Sequence, residues 1–257
     1  MNWIYRIRTK LAFSFIIVTL IPALLVGYYS ARVSSDVLLE KEYSSQEDKL
    51  NRLKNQIENF LSSANSDVLY LSQSDPVSKL VQARGKGLGG DELEPYILAV
   101  QNDFLAFSTH RKIYYQIRYL DETGQEVVRI DHDGIKAKVV AKERLQNKGK
   151  RYYFTDAVDL LLQKVFISPL DLNRERGKVE VPHKPVIRYA TPVKFQDGRN
   201  AGIVLTNADA KQFLEPMKGN ILLDNKGFFL AHPDPTKEWG GPADLNTKHT
   251  FLQEYPR

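Results

Sequence analysis

At 257 residues, 42% hydrophobic and 26% charged, the chain exceeds a disordered tail or a mini-protein and suffices for a membrane anchor, one complete domain and part of another. The absence of cysteine excludes a disulfide framework, thiolate chemistry and any Cys-ligated zinc or iron-sulfur site. Of the formal charge of +5, Arg6, Arg8 and Lys10 supply three before any acidic residue occurs, and no basic run is interleaved with stacking aromatics, which argues against nucleic acid as a partner.

From Leu11 to Tyr29 nineteen residues carry no charge, about enough helix to cross a bilayer core of ~30 Å. Eleven are Leu, Ile, Val or Phe, which together contribute on the order of −3 to −7 kcal/mol to insertion, more than Ser14, Thr19, Pro22 and Gly27 offset. With Arg6, Arg8 and Lys10 ahead of the span, the positive-inside rule places residues 1–10 in the cytoplasm and the chain beyond Ser30 outside, anchored in the inner membrane and facing the periplasm. A cleaved signal peptide is the alternative. Ser30-Ala31 would serve it, but the apolar stretch is longer than a usual signal core and no well-placed small-residue cleavage site precedes the next helix.

Beyond the span, Leu50, Leu53, Ile57, Phe60, Ala64, Val68 and Leu71 recur at steps of three and four, predicting a long stalk helix. Its apolar stripe can pack on its own domain or pair with a twin in a homodimer. Asp75-Pro76 breaks the pattern, and Gly85, Gly87, Gly89 and Gly90 form a turn that closes a region of residues 30–90. RGKGLGG there lacks the Gly-Lys-Ser/Thr ending of a phosphate loop and follows no strand.

A helix over Asp91 to Ser108 is expected next, then strands Ile113 to Leu120 and Glu126 to Asp131 joined by a Gly-containing hairpin loop. Val165 to Ser168, Val186 to Val193 and Gly202 to Asn207 read as three more strands. A helical segment near Ala141 to Gln146, a short segment near Asp156 to Leu162 and a polar excursion from Asp171 to Lys184 lie between them. The fold class is therefore α+β: a transmembrane helix, a long stalk helix, and an antiparallel-sheet sensor module of PAS-like type over residues 91–217.

YYQIRYLDETGQEVVRID, RYYFTDAV, VFISPLDLNRERGKVEVPHKPVIRYATPV and GIVLTNADA resemble the double PAS-like (double Cache) ectodomains of bacterial sensor histidine kinases and related diguanylate cyclases and chemoreceptors. The resemblance runs from about Leu50 to the end, and it implies a membrane-distal ligand-sensing module, a second smaller module, a second span and a cytoplasmic effector. After a helical connector near Lys211 to Met217, strands Asn220 to Leu223 and Phe228 to His232 look like the opening hairpin of that second module, over residues 218–257. The chain stops at Arg257 with too few strands to close the sheet, so a truncated receptor is expected, with Ile221, Leu222, Phe228 and Phe229 lacking partners.

In a PAS-like module the ligand lies over one sheet face, so its lining is expected from alternate strand positions and the excursion above them. Arg118 is placed with Tyr114 and Gln116, and Arg188 with Val186 and Ala190; an arginine fork on a half-buried strand suits a carboxylate or another anion. Internal pairs, Arg118 or Arg129 with Asp131 and Arg188 with Asp171, are the competing use. Tyr152, Tyr153 and Asp156 enter the crossover, and Asp171, Asn173 and Arg174 the excursion. The candidate ligand-binding set is Arg118, Arg188, Tyr153, Tyr114, Asp156, Asp171 and Tyr189.

No cofactor or metal is expected, since His110, His132, His183, His232 and His249 show no zinc-site spacing. No nucleophile elbow, zinc-helix or nucleotide fingerprint points to catalysis in this chain. The expected function is the input of a signalling receptor that binds a small molecule, with a histidine kinase output ahead of a cyclase or chemoreceptor. An anchored periplasmic enzyme and a ligand-free dimerisation module are the rivals from other classes.

Overall fold

The computed structural model describes residues 2–175 and 177–256, without the side chains of residues 2–6; Arg6, used above to orient the span, and Arg257, where the chain stops, lie outside the described side chains. The chain divides into two units, residues 1–55 and 56–257. The described residues of the first unit are helical, as the beginning of α1 (Asn2–Ser72). Its residues Phe15, Val18, Leu24 and Val26 are exposed, and the helix is long and apolar enough to cross a membrane.

In the second unit the end of α1 gives way to α2 (Asp75–Gly85) and α3 (Glu94–His110). Pro76 sits in the first turn of α2, where its missing N–H costs nothing, so the Asp75-Pro76 break marks a helix start rather than the end of helical structure. Strands β1 (Tyr114–Leu120), β2 (Glu126–His132) and β3 (Ala137–Val139) follow. The helix expected near Ala141 to Gln146 is only a single 3-10 turn, Lys142–Arg144. The crossover helix is α4 (Tyr152–Val158), starting earlier than Asp156 because Tyr153, Phe154 and Ala157 share one apolar face.

The strand expected at Val165 to Ser168 is the two-residue β4 (Phe166–Ile167), and the polar excursion is built from three more two-residue strands, β5 (Asp171–Leu172), β6 (Arg174–Glu175) and β7 (Lys178–Val179). Two ten-residue strands, β8 (Pro185–Lys194) and β9 (Asn200–Asp209), complete the sheet, whose order is β3-β2-β1-β9-β8-β4 with β5 also pairing to β8. Every pairing is antiparallel. Gly202 has φ +124°, and a Cβ there would overlap the Leu120 carbonyl, so glycine lets β9 approach β1.

One sheet face carries Ile117, Tyr119, Val128, Ile130, Tyr189, Val204 and Ala208 and buries them against Val68, Leu71, Val77, Leu80, Val100 and Phe104 of the helices. At ~25 cal/mol per Å² of apolar surface removed from water, this layer holds the domain together. The stalk stripe from Ile57 to Leu71 thus packs on its own domain. Two polar links tie the layers: Asp67 on α1 accepts from Arg111 Nε (2.9 Å) and the Tyr114 hydroxyl (2.6 Å), and Arg84 on α2 donates to the Tyr119 hydroxyl (2.7 Å) and Glu122 (2.5 Å). Burial pushes the Tyr119 hydroxyl up to about 12, against the pull of Arg84.

The chain ends with α5 (Lys211–Leu214), the hairpin β10 (Leu222–Leu223) and β11 (Phe229–Ala231), and α6 (Phe251–Glu254). The hairpin is better partnered than its sequence suggests. Phe229 is fully buried, its ring 4.6 Å from His232 and its carbonyl accepting from Trp239 N at 2.8 Å, while Phe228 bridges to Thr250; Ile221 is exposed.

Candidate functional site

The sheet face turned away from the helices carries the charge. Across β8, β9, β1 and β2 the residues Arg188, Asn207, Gln116 and Asp131 stand opposite one another, and the next row toward α4 is Ala190, Leu205, Arg118 and Arg129. Leu120 and Ile203, together with Ala190 and Leu205 of the second row, bury Tyr153, Phe154 and Ala157 of α4, which seals that end. Strand alternation therefore produces a half-polar, half-apolar surface beneath α4 and β5–β6.

Both arginines are buried, Arg118 at 3% exposure and Arg188 at 2%. Arg188 donates through Nη1 to Asp171 Oδ1 (2.5 Å) and the Tyr152 hydroxyl (3.2 Å), and through Nη2 to Asn173 Oδ1 (3.3 Å). Burial opposes its charge, but Asp171 and Tyr152 outweigh it and hold the guanidinium above its ordinary value. Arg118 donates through Nη2 to Asn207 Oδ1 (2.8 Å) and through Nη1 to Glu126 Oε1 (3.3 Å). Its Nε, also buried, has no acceptor among the described residues.

Glu126, whose side chain has no exposure, also accepts from the Gln146 backbone N–H (3.0 Å) and lies 3.8 Å from Arg129, which is itself paired with Asp131 at 2.7 Å. The Tyr153 ring is the hub, with Arg118, Arg151 and Arg188 Cζ atoms 5.5, 5.6 and 5.7 Å from its centroid. Cavities of about 520 Å³, by Gln82, Gly85 and Phe195, and 450 Å³, by Lys211, His232 and Trp239, open elsewhere. Among the described residues, no group of three His, Asp or Glu is placed to hold a metal.

Of the candidate residues, Arg118, Arg188, Tyr153 and Asp171 are brought together. Three are not. The register shift between Tyr114 and Gln116 inserts one residue into β1, so Tyr114 turns to the helix side and bonds Asp67 instead of joining Arg118. Tyr189 neighbours Arg188 in sequence and so faces the opposite side, buried in the helix-facing core. Asp156 lies on the exposed side of α4 and accepts from Thr155 Oγ1 at 3.2 Å.

Glu126 and Asn207 escaped the sequence reading. Asn207 had a signal, since it shares a face with Ile203 and Leu205 in an otherwise apolar strand; Glu126 begins a strand after a turn, where an acidic residue reads as solvated.

The family model for the sensor domain of bacterial histidine kinases matches residues 98–257. No curated protein sequence matches the chain. A domain from Vibrio parahaemolyticus assigned to the sensory box/GGDEF family is 22% identical at a TM-score of 0.68, covering 81% of this chain and 78% of that one. The extracellular domain of a protein assigned as a histidine kinase is 23% identical at 0.67, covering 81% and 74%. The sensory domain of a Campylobacter jejuni chemoreceptor, solved with isoleucine bound, is 15% identical at 0.55, covering 77% and 74%. These structures share the fold, and the matched family model is that of an input domain rather than a catalytic one. With its matched region spanning most of the chain, this protein belongs to the bacterial histidine kinase sensor domains.

Proposed function

We propose that the chain is the extracytoplasmic sensing region of a membrane-bound histidine kinase and that it binds a small carboxylate-bearing molecule between the sheet and residues 152–175. Residues 1–10 are cytoplasmic, 11–29 cross the inner membrane, 30–90 form the stalk and its turn, 91–217 the membrane-distal module and 218–257 the opening of a second. The exposed apolar residues Val33, Val37, Tyr43 and Leu50 support pairing of the stalk with a second copy. Ligand binding then biases the packing of the helices on the far side of the sheet, and that bias crosses the membrane.

One observation carries the ligand reading: Arg118 Nε is a buried donor without an acceptor among the described residues, on a guanidinium 5.5 Å from the Tyr153 ring and facing the same ring as Arg188. A buried N–H left unmet costs ~1–3 kcal/mol, which a ligand oxygen restores. The isoleucine bound to the Campylobacter jejuni receptor carries such a carboxylate. A second reading, a ligand-free structural module, is favoured by the internal pairing of Arg188 with Asp171.

A thermal-shift series on the full chain in detergent separates them. Carboxylic acids and amino acids should raise Tm where their amides do not; no stabiliser among them would favour the structural reading. Orientation is tested by alkaline phosphatase fused after Gly202, which should be active in cells.

A further inference from the structure

Residues 171–175 touch two places at once. The side chains of Asp171 and Asn173 reach Arg188, while Leu172 N donates to Asp244 Oδ1 (2.7 Å) and Arg174 Nη2 and Nε donate to the Ala243 carbonyl (2.7 and 3.2 Å). The Asp171 and Asn173 side chains look into the candidate site, whereas the tail is met by the Leu172 backbone N–H and the Arg174 side chain. Asp244 is held above its ordinary value, first by its own burial and further by the charge of Asp171, so the two ends of this strap are within electrostatic reach.

We propose that a ligand carboxylate replaces Asp171 on Arg188, and that the strap then loosens its hold on residues 243–244, reporting occupancy to the tail. The inference rests on the carboxylate site proposed above and assigns its regulation. Adding a carboxylate beside Asp171 would bury unmatched negative charge, whereas exchanging one carboxylate for another leaves the buried charge balance unchanged.

Asp171 is the exchangeable partner because it is 17% exposed and can swing into water, while Glu126 on Arg118 has no exposure. The strap is also lightly held, since β5 contributes two paired residues against β8 where β8 and β9 pair along ten-residue strands. Binding and strap seating therefore oppose each other, and the coupling is reciprocal.

The test uses the full chain in detergent. Without ligand, Asp171→Asn mimics the released strap, and hydrogen exchange at residues 241–246 should speed up about tenfold while 200–209 is unchanged. Arg174→Ala, which leaves the arginine site intact, should speed the same residues and guards against a fold defect in the first variant. In calorimetry with L-isoleucine and propionate, Asp171→Asn should bind at least one of them about tenfold more tightly than wild type, because the internal competitor is gone.

Unchanged exchange at 241–246 in Asp171→Asn, with Arg174→Ala altered, overturns the coupling. Binding that Asp171→Asn leaves equal or weaker overturns the exchange of carboxylates alone. Binding by neither protein overturns the site itself and this inference with it.

Discussion

The two faces of the central sheet come from the same strands and do opposite things. Toward the helices, Ile117, Tyr119, Ile130, Tyr189 and Val204 meet Val68, Leu80 and Phe104 in an apolar layer; one residue along each strand, Arg118, Arg129, Arg188 and Asn207 form a buried polar layer with Glu126 and Asp171. Burial is comparable, yet the energetics differ. Apolar contacts gain free energy with every Å² removed from water, whereas buried ion pairs roughly balance attraction against desolvation. A domain that needed only stability would have two apolar faces, so the charged face is where a ligand is to be sought.

The largest effect expected is from breaking the polar face by halves. Glu126→Gln takes from the buried Arg118 its carboxylate partner and should cost ~3–5 kcal/mol in denaturant unfolding, whereas the double variant Arg118→Met, Glu126→Leu should recover most of that loss. A double variant no more stable than the single one would mean that the charged face is structural after all. On the other face Ile117→Ala should cost ~2–5 kcal/mol through the cavity it leaves, with no carboxylate substitution able to restore it.

A smaller effect separates the faces by pH. Burial pushes the Glu175 carboxyl upward, but the Gln146 amide and the charges of Arg129 and Lys148 outweigh it and hold the group below its ordinary value. A depressed folded value contributes stability that is present above the unfolded value, ~4.3, and is lost as pH falls through the lower folded one. The difference in urea midpoint between wild type and Glu175→Gln should therefore be full at about pH 6 and shrink as the pH falls below the unfolded value, while Ile117→Ala should differ from wild type by a similar amount throughout. A Glu175→Gln difference that did not shrink in acid would contradict the assignment.

Period-two alternation made the strands legible, and with them the placement of Gln116 and Arg118 on one face and of Arg188 with Ala190. It failed where the pairing departs from period two or depends on distant residues. The bulge beside Tyr115 is set by the partner strand β9, so Tyr114 was placed on the wrong face. Tyr189 should have been set aside by the rule that placed Arg188. Asp156 was misjudged because α4 starts at Tyr152 and turns it outward. The link of Asp67 to Arg111 spans 44 residues and leaves no local trace. The Phe229 carbonyl is bonded by the backbone N–H of Trp239, which sits at φ +59°, a backbone state that composition does not reveal.

The central claim is that Arg118 and Arg188 hold a ligand carboxylate beside Tyr153. Calorimetric titration of the tightest stabiliser from the acid series into wild type, Arg118→Ala and Arg188→Ala, alongside their ligand-free melting temperatures, tests it most directly. Removing a binding arginine should weaken affinity by ~2–5 kcal/mol, roughly thirty- to several-thousand-fold, and shrink the ligand-induced rise in Tm. Unaltered affinity in both folded variants, with only their ligand-free Tm lowered, would contradict the account and leave the arginines as structural residues.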